Sequence, residues 1–278
     1  MRVGISTWTF PWCFGFPNYP KPKNPFTFMD LLNIAERYGL KIIQIGQNTP
    51  LHTFSREYLE EVYKEAKKRG IAIEAGTDGV NPEKLKKYIE IAKLLNSRVL
   101  RTYVRPEDVK GGLDGVEKLI REVINDFEKE NIILLIENAE FTPTSFLRRL
   151  AEKIGKDCLR LLIDTTNQLA IPEPLHQVVE NMLPFAIEVH VKEYTVERYD
   201  NLCGFQIYGA PLGKGCLNLD WLLNTLIEND KKDMTLILEQ WVPFTKTVDE
   251  TAKMEYQWGC MGIELLKDKL KQLGVLEL

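Results

Sequence analysis

The sequence predicts an α/β protein built as a single (β/α)8 barrel over residues 1–278, and three observations predict it. Short apolar runs alternate with amphipathic stretches from end to end, eight of each. Repeats of that kind pair their strands in parallel with right-handed crossovers. Eight such units in roughly 250 residues is the size of a (β/α)8 barrel. Strand one runs into Ser6-Thr7-Trp8-Thr9-Phe10, with no G-x-G-x-x-G. A doubly wound open sheet, the runner-up, usually opens with that phosphate loop. No linker or low-complexity segment interrupts the pattern, so one domain is the economical reading.

Strand one is Arg2–Thr7, followed by an aromatic, proline-rich loop over Trp8–Phe26. Helix one runs from Thr27 to about Tyr38, with Asp30 in its first turn and Gly39 as C-cap. Strand two is Lys41–Ile45; helix two opens on the N-cap Ser55 and ends before Gly70. Strand three is Ile71–Ala75, and helix three, Pro82–Leu95, takes Asn81 as cap and Pro82 at its first position. Strand four is Val99–Val104, with helix four over Asp114–Lys129. Strand five ends at Glu137 and helix five spans Pro143–Ile154. Strand six ends at Asp164, before a shorter helix six over Glu173–Met182. Strand seven, Ala186–Lys192, leads through a long Gly-rich connection to helix seven, Leu219–Asn229. Strand eight ends at Glu239, and a long last helix covers Val248–Leu273.

Apolar residues at 44% and charged residues at 27% fit a soluble globular protein. A net charge of −4 argues against nucleic acid as the main partner, because phosphate binding wants a basic face. The five cysteines are widely spaced with no C-x-x-C, which excludes a disulfide framework or thiolate zinc and points to a reducing cytoplasm. The N-terminus does not read as a signal peptide, and no apolar run approaches the ~20 residues that span a membrane.

Function concentrates at four strand ends. The runs Asn131–Glu137, Leu159–Asp164, Ile187–His190 and Met234–Glu239 each close on a side chain able to ligate metal. Parallel α/β folds place their chemistry at such carboxyl ends. Alternate strand residues share a face. On strand seven the Ile187/Val189/Val191 face is wholly apolar and must pack on helices, so Glu188, His190 and Lys192 point into the barrel. Singly, each strand-end residue reads as well as a loop cap, an arginine partner or a hydrogen-bonded core residue. Together Glu137, Asp164, His190 and Glu239 read as a divalent metal site. Three carboxylates and one imidazole favour Mn2+ or Mg2+, with Co2+ or Zn2+ tolerated. Such an ion would hold two vicinal oxygens and stabilise an enediolate, and two glutamates could exchange protons beside a carbonyl.

Other candidates have an equally strong structural reading. Trp8 and Trp12 form either a wall over a sugar or a plug in the barrel mouth, and both exclude water. Trp241 shares a face with Glu239 and lines a pocket. Arg101 and Glu74 are substrate partners or interior ion pairs. Gly209, Gly213 and Gly215 cradle a phosphate or, the better reading, form a tight turn into helix seven. His52 and His176 read as local structural residues. The last helix can bury Met254, Met261, Leu265 and Leu266 on the barrel or against a second copy of the chain, leaving a homo-oligomer open.

Several strings resemble a known family. Leu135-Ile-Glu-Asn138, Leu162-Ile-Asp-Thr165, Val189-His-Val-Lys-Glu193, Pro211–Gly215 with Leu219-Asp-Trp221, and Leu236-Ile-Leu-Glu239 are similar in order and spacing to the xylose-isomerase-like TIM-barrel superfamily. That superfamily includes tagatose/psicose 3-epimerases, hydroxypyruvate isomerases and inosose dehydratases. The resemblance implies that Glu137, Asp164, His190 and Glu239 bind one metal and that the two glutamates are the acid/base pair. Three positions depart from the epimerases: Asn167 stands where a substrate-binding His is usual, Gln44 replaces an acidic residue, and Arg198 lies two residues beyond the usual arginine. Val189-His-Val-Lys-Glu-Tyr, Arg198, Gly204-Phe205, Leu238-Glu-Gln-Trp241 and Glu255-x-x-Trp258 look closer to 3-oxo-isoapionate decarboxylases. There Lys192 would meet a substrate carboxylate or developing enolate.

The sequence therefore predicts a metal-dependent isomerase or epimerase of a keto-sugar or sugar derivative, with a β-keto sugar-acid decarboxylase as the alternative. Its substrate-binding candidates are Lys192, Asn167, Arg198, Trp241, Trp8, Trp12, Arg101 and Glu74. An endonuclease IV-like repair enzyme shares the barrel but needs several histidines, and only three are present. A non-catalytic sugar-binding protein would not need four intact ligands.

Overall fold

The computed structural model describes residues 1–277. In chain order the elements are β1 (Arg2–Ser6), α1 (Pro11–Phe14), α2 (Phe28–Arg37), β2 (Ile42–Ile45), α3 (Arg56–Lys68), β3 (Ala72–Gly76), α4 (Pro82–Leu94) and β4 (Val99–Tyr103). There follow α5 (Gly112–Arg121), α6 (Ile124–Glu130), β5 (Ile133–Glu137), α7 (Thr144–Ile154), β6 (Leu159–Asp164), α8 (Leu175–Met182) and β7 (Ala186–Lys192). The chain ends with β8 (Tyr194–Arg198), β9 (Phe205–Gly209), α9 (Leu219–Glu228), β10 (Thr235–Glu239) and α10 (Val248–Gln272). Eight strands close a parallel barrel in the order β1-β10-β7-β6-β5-β4-β3-β2, as the alternating pattern predicts.

Contacts group the chain into two compact units, Ile42–Val189 and Met1–Lys41 with His190–Leu278. In the first, β2 to β6 pair in sequence order; the register sets Arg101 opposite Leu135 and Tyr103 opposite Glu137. Val99, Leu135 and Leu162 form a buried cluster there. Ile187 also packs against it, so the face of β7 expected on helices turns inward at its first residue. The predicted caps form: Ser55 accepts from the Tyr58 N–H and Asn81 from the Lys84 N–H, each cap stabilising its helix by about 1 kcal/mol. The expected single helix four is two helices, because Val123 leaves helical geometry and its N–H bonds to the Ile120 carbonyl.

In the second unit, β1 pairs in parallel with β10. The Gly-rich connection, expected as loop, contains an antiparallel hairpin, β8–β9. Its base is tied down by the buried Glu193 carboxylate, which accepts N–H bonds from Tyr194 (3.1 Å), Gly213 (3.1 Å) and Leu217 (2.8 Å). Of the three glycines weighed as a phosphate cradle, Gly213 thus gives its amide to Glu193, which favours the tight-turn reading of this loop. Gly209 is required by close approach: a Cβ there would lie 1.9 Å from the Trp241 carbonyl oxygen.

Candidate metal centre

In the unit Ile42–Val189, Glu137 and Asp164 end β5 and β6, both buried. Asn138, next to Glu137, donates its amide to the Asp164 carbonyl (3.1 Å) and accepts the Asp164 N–H (2.7 Å). This pair of bonds clamps the two strand ends together. The Asp164-Thr-Thr-Asn167 turn then folds back on the carboxylate. Asp164 Oδ1 accepts from the Thr166 N–H (2.8 Å), the Thr166 hydroxyl (3.1 Å) and the Asn167 N–H (2.9 Å). Side chains of this type bond readily to nearby backbone, which is why Asp-Thr-Thr-Asn makes a turn after a strand.

Glu137 has donors on both oxygens. The Arg101 guanidinium closes on Oε2 through Nε and Nη2, and the Asn167 amide donates to Oε1 at 2.9 Å. Arg101 is itself buried and also reaches Gln47 and the Thr77 carbonyl. Deeper in this unit, Gln44 donates to Glu74 (3.0 Å) and Glu188 (2.6 Å), all three buried. The Gln44 amide thus sits between two carboxylates, a place where an acidic residue would add a third negative group.

In the other unit, Glu239 ends β10 and is buried. Its Oε1 accepts from the Ser6 hydroxyl at 3.0 Å and lies 3.3 Å from His190 Nδ1. Its Oε2 lies 3.1 Å from Lys192 Nζ. The Lys192 ammonium also stands 4.8 Å from the Trp241 ring centre, a cation–π contact. Lys192 is buried, while Trp241 keeps 36% of its surface exposed.

Glu137 and Asp164 thus end two strands of one unit, while His190 and Glu239 stand together in the other. Carboxylates and an imidazole are donors that suit a hard divalent ion. A family model described as the xylose isomerase-like TIM barrel matches residues 32–258. The chain belongs to this family.

Members of the xylose isomerase-like family are enzymes, and three relatives bear on the chain. The 3-oxo-isoapionate decarboxylase of Pectobacterium atrosepticum is 28% identical over 258 residues, covering 93% of this chain and 92% of its own. A D-psicose 3-epimerase solved with D-tagatose, from Clostridium cellulolyticum, superposes with a TM-score of 0.71 at 14% identity, covering 100% of both chains. A xylose isomerase-like TIM barrel protein of Mycobacterium smegmatis, solved in complex with magnesium, gives 0.63 at 14% identity over 96% of this chain and 97% of its own. Among the described residues no helix is long and apolar enough to cross a membrane.

The remaining sequence candidates divide. Arg198 is exposed on the hairpin, bonding to the Leu202 carbonyl (3.1 Å) and lying over the Phe205 ring (5.6 Å). Its contacts belong to the hairpin turn and not to the strand ends. Trp12 is buried: its indole N–H donates to the Val242 carbonyl (2.8 Å) and its ring stacks on Phe16 (4.8 Å) and meets Tyr19 and Phe244. Trp8, half-buried, meets Phe16 edge-on. Phe10 and Phe14 turn the other way, onto Phe26. His52 bonds to the Tyr88 hydroxyl at 2.8 Å; burial, then Lys87 and Lys84, hold it below the usual imidazole range. It is a local structural residue.

The aromatic loop hangs on one carboxyl group that sequence reasoning named only as part of a string. Glu255 of α10 accepts the N–H groups of Trp12 (3.0 Å) and Cys13 (2.8 Å). Burial pushes Glu255 up to about 8 against the pull of those donors. Ser6 and Asn138 were also missed as site residues. Ser6 ends β1 and Asn138 follows β5, but neither is a metal-ligating side chain, so the test applied to Glu137 and Glu239 passes over both.

Proposed function

We propose that the protein is a divalent-metal-dependent decarboxylase of a β-keto sugar acid, with Glu137, Asp164, His190 and Glu239 holding the ion and residues 1–278 forming one domain. The donor set fits: three buried carboxylates and a buried imidazole. Mn2+ or Mg2+ suits it, and magnesium in the Mycobacterium smegmatis relative supports that class of ion. When bound, such an ion supplies Lewis-acid stabilisation of negative charge on vicinal substrate oxygens.

The observation that carries the lyase reading is Lys192. A buried ammonium 3.1 Å from Glu239 and over Trp241 is a fixed cation where a substrate carboxylate or an enolate oxygen needs one. The 28% identity to a 3-oxo-isoapionate decarboxylase over nearly the whole chain supports it. In the reaction the bond from the α-carbon to the carboxylate breaks. Its electron pair moves into the enediolate, CO2 leaves, and the carbon takes a proton from the Lys192–Glu239 pair. Arg101 and Asn167 hold Glu137 in one orientation throughout. Trp8, Trp12 and Trp241 keep water from the carbanion.

Isomerisation or epimerisation of a keto-sugar or sugar derivative, the first expectation from the sequence, is the second reading. The epimerase fold likeness and the presence of both glutamates favour it. Assaying Mn2+-loaded protein against oxidised sugar acids and a ketose panel separates the two. CO2 release from the acids supports the first reading. Turnover of neutral ketoses alone, with solvent deuterium entering beside the carbonyl, replaces it with the second.

A further inference from the structure

We propose that Asn167 is a positioning residue that aims two ligand carboxylates at once, and not the substrate contact its place in the sequence suggests. The inference rests on the metal reading of Glu137 and Asp164. Asn167 opens the turn Asn167–Ala170, three residues after Asp164. Its backbone N–H donates to Asp164 Oδ1 at 2.9 Å. Its side-chain amide donates to Glu137 Oε1 at 2.9 Å and to the Asn138 carbonyl at 3.0 Å. An amide carries two hydrogens, and these two acceptors use both.

A glutamate's terminal torsion is broad and nearly two-fold, so nothing intrinsic to Glu137 chooses which lone pairs it presents. Arg101 on Oε2 and Asn167 on Oε1 make that choice together. The anchor to the Asn138 carbonyl matters because Asn138 clamps the backbone of Asp164. Asn167 therefore links the rotation of Glu137, the end of β5 and the carboxylate of Asp164 in one short loop. A histidine at this position offers one or two ring nitrogens on a stiff plane and cannot reproduce the paired N–H fork. Outer-shell partners of this kind are worth roughly 10–100-fold in metal affinity.

The test is calorimetric titration of the full-length, metal-stripped protein with Mn2+ alone, for wild type, Asn167→Ala and the near-isosteric Asn167→Leu. Both variants should bind Mn2+ roughly 10–100-fold more weakly than wild type, with metal-free melting temperatures close to wild type in N167L. Wild-type affinity in a folded N167L, with only KM for substrate raised, would make Asn167 a substrate contact and overturn the inference while leaving the metal reading intact. Failure of the wild-type protein itself to bind Mn2+, Mg2+ or Co2+ overturns the metal reading and takes the inference with it.

Discussion

Glu255→Gln should remove one part of the pH dependence of stability, so that the curves of variant and wild type cross. Glu255 is wholly buried against the aromatic loop, and burial raises its carboxyl from the ordinary 4.5 to about 8. In the unfolded chain the group loses its proton near the ordinary value, whereas the native protein keeps it up to about 8. Across that window the native state binds more protons, so stability falls as pH rises and levels off above it. At ~1.36 kcal/mol for each pH unit, the window is worth about 5 kcal/mol. Glutamine cannot ionise, so this loss disappears. It also cannot accept from both Trp12 and Cys13, because its NH2 faces one of those N–H groups, at a cost of roughly 1–3 kcal/mol. E255Q should therefore be less stable than wild type near about pH 5 and more stable near about pH 9. Thermal or urea unfolding of both proteins at a series of pH values reads this directly. Other titrating groups are common to both chains and cancel in the difference. Parallel curves, with no crossing, would refute the reasoning and mean that Glu255 is ionised in the native state throughout.

Three further outcomes follow from the same geometry. Lys192→Ala should lose CO2 release from a sugar acid by about 100-fold or more, the scale of removing one charge-stabilising group, in a protein that still unfolds cooperatively on heating. Gly259→Ala would place a Cβ 2.4 Å from Phe10 Cε1, and because Phe10 is fully buried the overpacking should cost ~1–3 kcal/mol in urea unfolding. Chelating the metal should lower the melting temperature; an ion at about 100-fold its Kd contributes ~2.7 kcal/mol, and an unchanged melting curve would count against a bound ion.

The barrel was legible because its code is local. A parallel strand buried on both faces must be apolar, and a helix start must satisfy its N–H groups, so Ile133–Glu137, Ser55 and Asn81 each announce themselves. The proposed ligands stand out in the sequence for a related reason: a carboxylate or imidazole ending an apolar run is out of place unless something pairs with it. The hairpin β8–β9 was not legible, because its strands are exposed and carry no buried stripe to give a period. Glu193 hid for the opposite reason. A glutamate after a strand reads as surface, and its three N–H partners lie up to 24 residues away. Arg198 shows the limit of matching positions by offset. Its guanidinium lies on the hairpin after β7, bonded to the Leu202 carbonyl of the turn.

The ion pairs at the strand ends argue most strongly for chemistry. Arg101–Glu137 and Lys192–Glu239 are each buried on both sides, and burying a pair costs several kcal/mol of desolvation per ion that the attraction scarcely returns. A barrel selected for stability alone would replace either pair with apolar residues of the same volume, as Leu135 and Leu162 do one layer below. The cations also differ in kind. Arginine is a permanent, planar fork that fixes Glu137 in place, and its charge does not change with pH in the working range. Lysine is a point charge with transferable protons, set between a carboxylate and an aromatic face that opens to solvent. On the proposed decarboxylase reading, that asymmetry gives orientation to the β4–β5 pair and delivery of the single proton that replaces CO2 to the β7–β10 pair.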